Sequence, residues 1–163
     1  MRRISAAMDL RNKFILFAAT GAGAGYFPLF PGTIGTLVAI PISIFLNRLA
    51  SVAIWSSLLA LVLAVFCAIS IATRASQILR QKDPGLIVID EVVGFMVANF
   101  HAPERVTPII LSFILFRFFD IAKIYPARRL ERLPGGSGIV LDDIMAGLYT
   151  FAIIQLALTL ELL

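Results

Sequence analysis

Five acidic residues in an otherwise apolar chain are the groups best placed to do chemistry: Asp90, Glu91, Asp120, Asp142 and Asp143. Each lies in or beside a long hydrophobic run, where a carboxylate loses hydration and calls for a cation. Asp142 and Asp143 are adjacent and follow Pro134-Gly135-Gly136-Ser137-Gly138, whose glycines let backbone approach a ligand closely. Gly136 is the candidate for contact with a substrate there. Clustered carboxylates suit Mg²⁺, which takes hard oxygen ligands and leaves room for water and phosphate. Asp90, Glu91, Asp142 and Asp143 are the expected ligands. The competing reading is that such acids merely complement the positive end of a helix.

Arg117, Asp120 and Lys123 recur at i, i+3 and i+6, which places them on roughly one helical face. Arg117 and Lys123 could flank a phosphate while Asp120 binds metal; a plain intrahelical ion pair is the alternative. Thr33, in Pro31-Gly32-Thr33-Ile34-Gly35-Thr36, marks a second glycine-rich helix start where backbone amides could bind an anion or simply cap the helix. Absences narrow the class. Cys67 sits mid-run and suits core packing rather than nucleophilic catalysis, His101 is expected in a loop on the opposite side, and no GxxxxGK[ST] loop is present.

The elements that must position these groups are membrane helices. Of 163 residues, 60% are hydrophobic and 15% charged, and mean hydropathy is +0.94, far from the composition of a soluble domain. The chain reads as one all-α, polytopic membrane domain spanning 1–163. A net charge of +4 points to anionic lipid and membrane topology, not nucleic acid. Residues 1–13 read as a basic surface helix. The basic start and short apolar run 14–19 have features of a signal peptide, but no soluble domain follows, so cleavage is not expected. Residues 14–35, broken by glycines and prolines, predict a re-entrant or irregular segment. Helices are expected over 36–46 with a kink at Pro41, 48–74, 86–100, 106–124 and from 139 onward.

Basic residues orient such a bundle. With five crossings from a cytoplasmic start, Arg2, Arg3, Arg11, Lys13, Arg74, Arg80, Lys82, Lys123, Arg128, Arg129 and Arg132 fall on the cytoplasmic side, against Arg48 and Arg105 opposite. The five acids and both glycine-rich stretches then converge at one level near the cytoplasmic face. Intramembrane acids also mark transport paths, so a non-enzymatic ion or proton transporter is the rival class. The uncharged outer half offers such a path no stepping stones.

Four blocks give the chain a resemblance to a known family: Pro31-Gly32-Thr33-Ile34-Gly35-Thr36; Asp90-Glu91-Val92-Val93-Gly94; Arg117-Phe118-Phe119-Asp120-Ile121-Ala122-Lys123 through Pro126; and Gly135-Gly136-Ser137-Gly138-Ile139 through Asp142-Asp143-Ile144-Met145-Ala146-Gly147. In this order, over 21–147, they resemble the phosphatidylglycerophosphatase A family of bacterial lipid phosphatases. Thr36 stands where that family often has Ser, and Ile124 where it often has Pro. The resemblance implies a multi-pass enzyme of the bacterial inner membrane with its site facing the cytoplasm. It further implies Mg²⁺-dependent removal of the terminal phosphate of phosphatidylglycerophosphate, giving phosphatidylglycerol.

Overall fold

The computed structural model describes residues 9–163 and, among them, is all-helical. The helices are α1 (Leu10–Ala19), α2 (Pro31–Val52), α3 (Ile54–Leu79), α4 (Ile89–Ala98), α5 (Val106–Ala122), α6 (Ala127–Leu130) and α7 (Gly136–Thr159). Most of the surface helix expected over 1–13, including Arg2 and Arg3, lies outside the described residues. The apolar run at 14–19 is regular helix, because its breakers begin only at Gly21. Irregular backbone is confined to 20–30, with one 3-10 turn at Ala24–Tyr26. The next helix starts at Pro31, five residues before its expected start. Proline at the first helical position gives up an N–H that has no intrahelical partner anyway.

α2, α3 and α7 are each long and apolar enough to cross a membrane. α4 is not: ten residues rise only about 15 Å, against a hydrocarbon core of about 30 Å. It survives as a core helix, packed against α2, α3, α5 and α7, with Val92 through Ala98 all buried. Phe95 meets Phe113 and Phe116 edge-on, at ring separations of 6.4 and 6.0 Å. Contacts fix the helix directions. Gly32 of α2 and Arg117 of α5 lie beside Glu91 at the start of α4, and Gly136 of α7 lies beside Thr73 late in α3. Asn47, late in α2, reaches the far end of α4 instead. So α2, α4 and α7 run one way, and α3 and α5 the other.

α3 presents mostly apolar surface outward, with Leu59, Leu63 and Phe66 more than half exposed. Its inward stripe is small, Ala68, Ala72 and Ala75, as suits close packing of membrane helices. Cys67 falls on the outer side and is exposed, which corrects its expected place in the core. A helix apolar on every face carries no periodicity to say which side is buried. His101 is exposed beyond α4, as expected.

The far end of α4 is closed by Asn47. Its side-chain amide donates to the carbonyls of Asn99 (2.8 Å) and Ala102 (3.1 Å), and its Oδ1 accepts the His101 N–H at 2.8 Å. Asn99 in turn donates to Ser43 Oγ at 3.0 Å.

α4 and α7 approach through Gly94 and Gly147. A Cβ on Gly147 would collide with the Gly94 carbonyl, and one on Gly94 with the Asp143 carbonyl. Gly147→Val should therefore destabilise the protein by about 3 kcal/mol, since backbone cannot yield as a side chain does. Gly85→Ala, whose Cβ meets nothing within 4 Å, should be neutral. Unfolding midpoints of both variants in detergent check this.

Candidate active site

The close glycine contact decides where the acids meet. Asp90 precedes Gly94 by four residues, and Asp143 precedes Gly147 by four. Each carboxylate thus sits one helical turn before the contact, on the face turned to the other helix. Asp90, Glu91 and Asp143 come together so that one oxygen of each lies within 4.8 Å of the others. The repeated acid-x-x-x-Gly spacing is a sequence signal of this convergence.

α7 begins six residues before its acids, so Asp142 and Asp143 occupy its second turn rather than its first. The glycine run is mostly helix. Gly135 alone takes a positive φ of 65° as the N-cap, and Gly136 donates its N–H to Thr73 Oγ1 at 2.8 Å. A Cβ on Gly136 would run into the Ile69 carbonyl of α3. This glycine lets two helices touch, and it does not line the cavity described next.

That cavity, of about 240 Å³, is bounded by Asp90, Glu91, Arg117, Asp120, Lys123, Asp142 and Asp143. Seven of the nine residues singled out from the sequence therefore share one space, and Thr33 and Gly136 fall outside its lining. The Thr33 and Ile34 amides already donate to the Phe30 carbonyl, at 2.9 and 3.2 Å. From that segment Phe30, Pro31 and Gly32 reach the cavity instead. Gly32 lets the Glu91 carboxylate lie against the start of α2, where a Cβ would displace Oε1. Asp83 and Gly85, on the loop between α3 and α4, also line the cavity. Sequence reasoning missed Asp83; its place in Lys82-Asp83-Pro84-Gly85, a turn feeding directly into the acidic helix, is the signal that could have found it.

Cations meet some of the acids. Arg117 Nη1 bonds Asp120 Oδ2 at 2.6 Å and lies 3.9 Å from Glu91 Oε1, so the i, i+3 ion pair does form. Lys123 bonds Asp142 at 2.8 Å and Glu131 at 2.9 Å. Burial alone would lower the Lys123 pKa, but these two carboxylates outweigh it and raise it, so the ammonium stays charged. Asp142 is held by this lysine and stays outside the three-carboxylate group, although it was expected among the ligands. Even so, Asp90 Oδ1, Glu91 Oε2, Asp142 Oδ1, Asp143 Oδ2 and Arg117 Nε are buried without any hydrogen-bond partner. Unpaired buried charge is costly. Oxygen acceptors left open beside an open guanidinium donor can take a hard cation together with an oxyanion.

An apolar helical bundle with such a pocket at one end is an integral membrane protein equipped for phosphate chemistry. Residues 17–158 match the model of the family described as phosphatidylglycerophosphatase A. The chain belongs to that family and is a lipid phosphatase, a hydrolase of phospholipid synthesis. It is 36% identical over 138 residues to phosphatidylglycerophosphatase A of Haemophilus influenzae, covering 83% of each chain. With the protein of that name from Escherichia coli it shares 31% over 139 residues, 83% of this chain and 78% of the other. It is also 36% identical over 143 residues, 85% of this chain and 89% of the other, to a Bacteroides thetaiotaomicron protein provisionally named a phosphatidylinositol-3-phosphatase. No solved structure matches the chain.

Arg117 keeps an unpartnered Nε after binding Asp120, whereas Lys123 spends its donors on two acids. Arg117→Lys, which loses the planar fork, should lower kcat/KM for a lipid phosphomonoester roughly a hundredfold, the worth of a charged hydrogen bond or two. Lys123→Arg should cost about tenfold or less on the same scale. Steady-state kinetics of both variants on one lipid decide it: silence in Arg117→Lys would reduce Arg117 to a structural partner of Asp120.

Proposed function

We propose that this chain hydrolyses the terminal phosphomonoester of phosphatidylglycerophosphate to phosphatidylglycerol and phosphate, with Mg²⁺ held by Asp90, Glu91 and Asp143. The observation that carries the reading is that the acids with buried, unpartnered oxygens line one cavity together with Arg117, whose Nε is also unpartnered. The names of the Haemophilus and Escherichia relatives supply the substrate. An all-oxygen donor set of three acids fits a hard divalent ion, which ordinarily keeps open positions for water and phosphate. Bound there, Mg²⁺ would offset the substrate's charge and acidify a water molecule.

The chain's own residues do the rest. Arg117 Nε takes a phosphate oxygen, while Asp120 and Glu91 hold the guanidinium in place. Lys123 adds a fixed positive charge near Asp142. Asp142, outside the ligand group and with Oδ1 open, accepts the proton of the attacking water. The P–O bond to glycerol breaks, water supplies the new phosphate oxygen, and a proton returns to the departing alkoxide. A monoester carries nearly two negative charges near neutral pH, so this site favours it over a diester.

Phosphate release from purified protein in detergent micelles is the direct test. EDTA should abolish it and added Mg²⁺ restore it. Asp143→Asn should lower kcat by about a thousandfold or more, as loss of a group acting in the transition state does, while the protein stays folded. Turnover unaffected by EDTA would refute the metal assignment.

The distribution of basic residues supports placing this end of the bundle toward the cytoplasm. In a Cys67→Ser background, cysteines at Gln81 and Ser137 should react with an impermeant thiol reagent only from the cytoplasmic side, and one at Pro103 only from outside. If Gln81 and Pro103 label from the same side, the five-crossing arrangement is wrong and α4 enters the membrane without crossing it, as a helix of ten residues can.

A further inference from the structure

The relatives raise a question that the reacting pocket alone does not answer. The Haemophilus and Bacteroides proteins share the same 36% identity with this chain over their matched residues, yet their names carry different headgroups, a glycerophosphate and a phosphorylated inositol. Both lipids offer a phosphomonoester, and that is all the acids and Arg117 meet. Discrimination has to come from contacts with the rest of the headgroup, the diester and its alcohol.

A second, smaller cavity of about 120 Å³ adjoins the first and shares Asp83 and Ile139 with it. Its other walls include Lys82, Glu131 and Gly138. Gly138 precedes Asp142 by one turn of α7, so the two cavities are offset by about 6 Å along that helix. A three-carbon linker between two phosphate esters covers a similar distance. Lys82 and Asp83 are exposed and form no ion pair among the described residues. Glu131, by contrast, is tied through Lys123 to Asp142, so one wall of this cavity is anchored to the reacting pocket. A free ammonium and a free carboxylate thus flank a space one turn from the acids.

We propose that this cavity is the headgroup subsite. Lys82 neutralises the bridging phosphodiester and Asp83 accepts a hydrogen bond from the free glycerol hydroxyl, which selects a glycerophosphate over other lipid monoesters. The proposal rests on the substrate reading above. It is tested by comparing phosphatidylglycerophosphate with phosphatidic acid of matched acyl chains, which has the monoester but neither diester nor headgroup glycerol. Full-length wild type should prefer the former. Lys82→Gln and Asp83→Asn should each cut the ratio of kcat/KM values by roughly tenfold, one charge-assisted contact, chiefly through KM for phosphatidylglycerophosphate. Unchanged ratios with the wild-type preference intact would overturn the subsite alone, as would a parallel loss on both lipids. Wild-type turnover of phosphatidylinositol 3-phosphate but not of phosphatidylglycerophosphate would overturn the subsite and the substrate reading together.

Discussion

The contact between Gly94 and Gly147 governs the arrangement of the rest. Two helices can approach this closely only where neither carries a Cβ, and that approach brings the carboxylates one turn away into mutual range. Repulsion among those carboxylates opposes the same approach. Packing around Phe95, Phe113 and Phe116 and the burial of nearly all of α4 hold the acids where their charges alone would not leave them. Packing thus holds these acids together at an electrostatic cost.

The cations already present show how that demand is divided. Arg117 and Lys123 each neutralise acids at the edge of the cluster, Asp120 for one and Asp142 with Glu131 for the other. Neither contacts Asp90 or Asp143. Glu91 belongs to both sides of this division: it lies 3.9 Å from Arg117 and within the three-carboxylate group, whereas Asp90 and Asp143 form no ion pair among the described residues.

Much of this was legible in the sequence, for identifiable reasons. Asp90, Glu91, Asp120, Asp142 and Asp143 stood out because charge is rare in so apolar a chain, and alternation of helix direction was enough to predict their common level. Spacing put Arg117, Asp120 and Lys123 on one helical face, but left the Arg117–Asp120 ion pair only as the alternative to a phosphate clamp beside a metal ligand. What escaped was steric. Whether Gly136 opens toward a ligand or toward α3 depends on the neighbour Ile69, 67 residues away in sequence, which no local pattern encodes. The facing of Cys67 escaped because hydrophobicity is uniform around α3, and only the stripe of alanines marks its inner side. Asp83 escaped because an acid in a polar turn is unremarkable until the fold brings that turn to the pocket rim.

Asn47 carries a consequence for how the chain can vary. A ten-residue helix that stops inside a bundle needs its C-terminal turn fixed, and here one side-chain amide serves the carbonyls of the C-cap Asn99 and of Ala102 beyond it, with the His101 N–H between them. That amide is fixed by its own position on α2, so it acts as a length gauge. Adding a turn to α4 would carry the served groups about 5 Å past it and leave each of them to lose about 1–3 kcal/mol. Insertions are thus barred from the short central helix, and any growth of this architecture must occur in the loops at the two ends of the bundle.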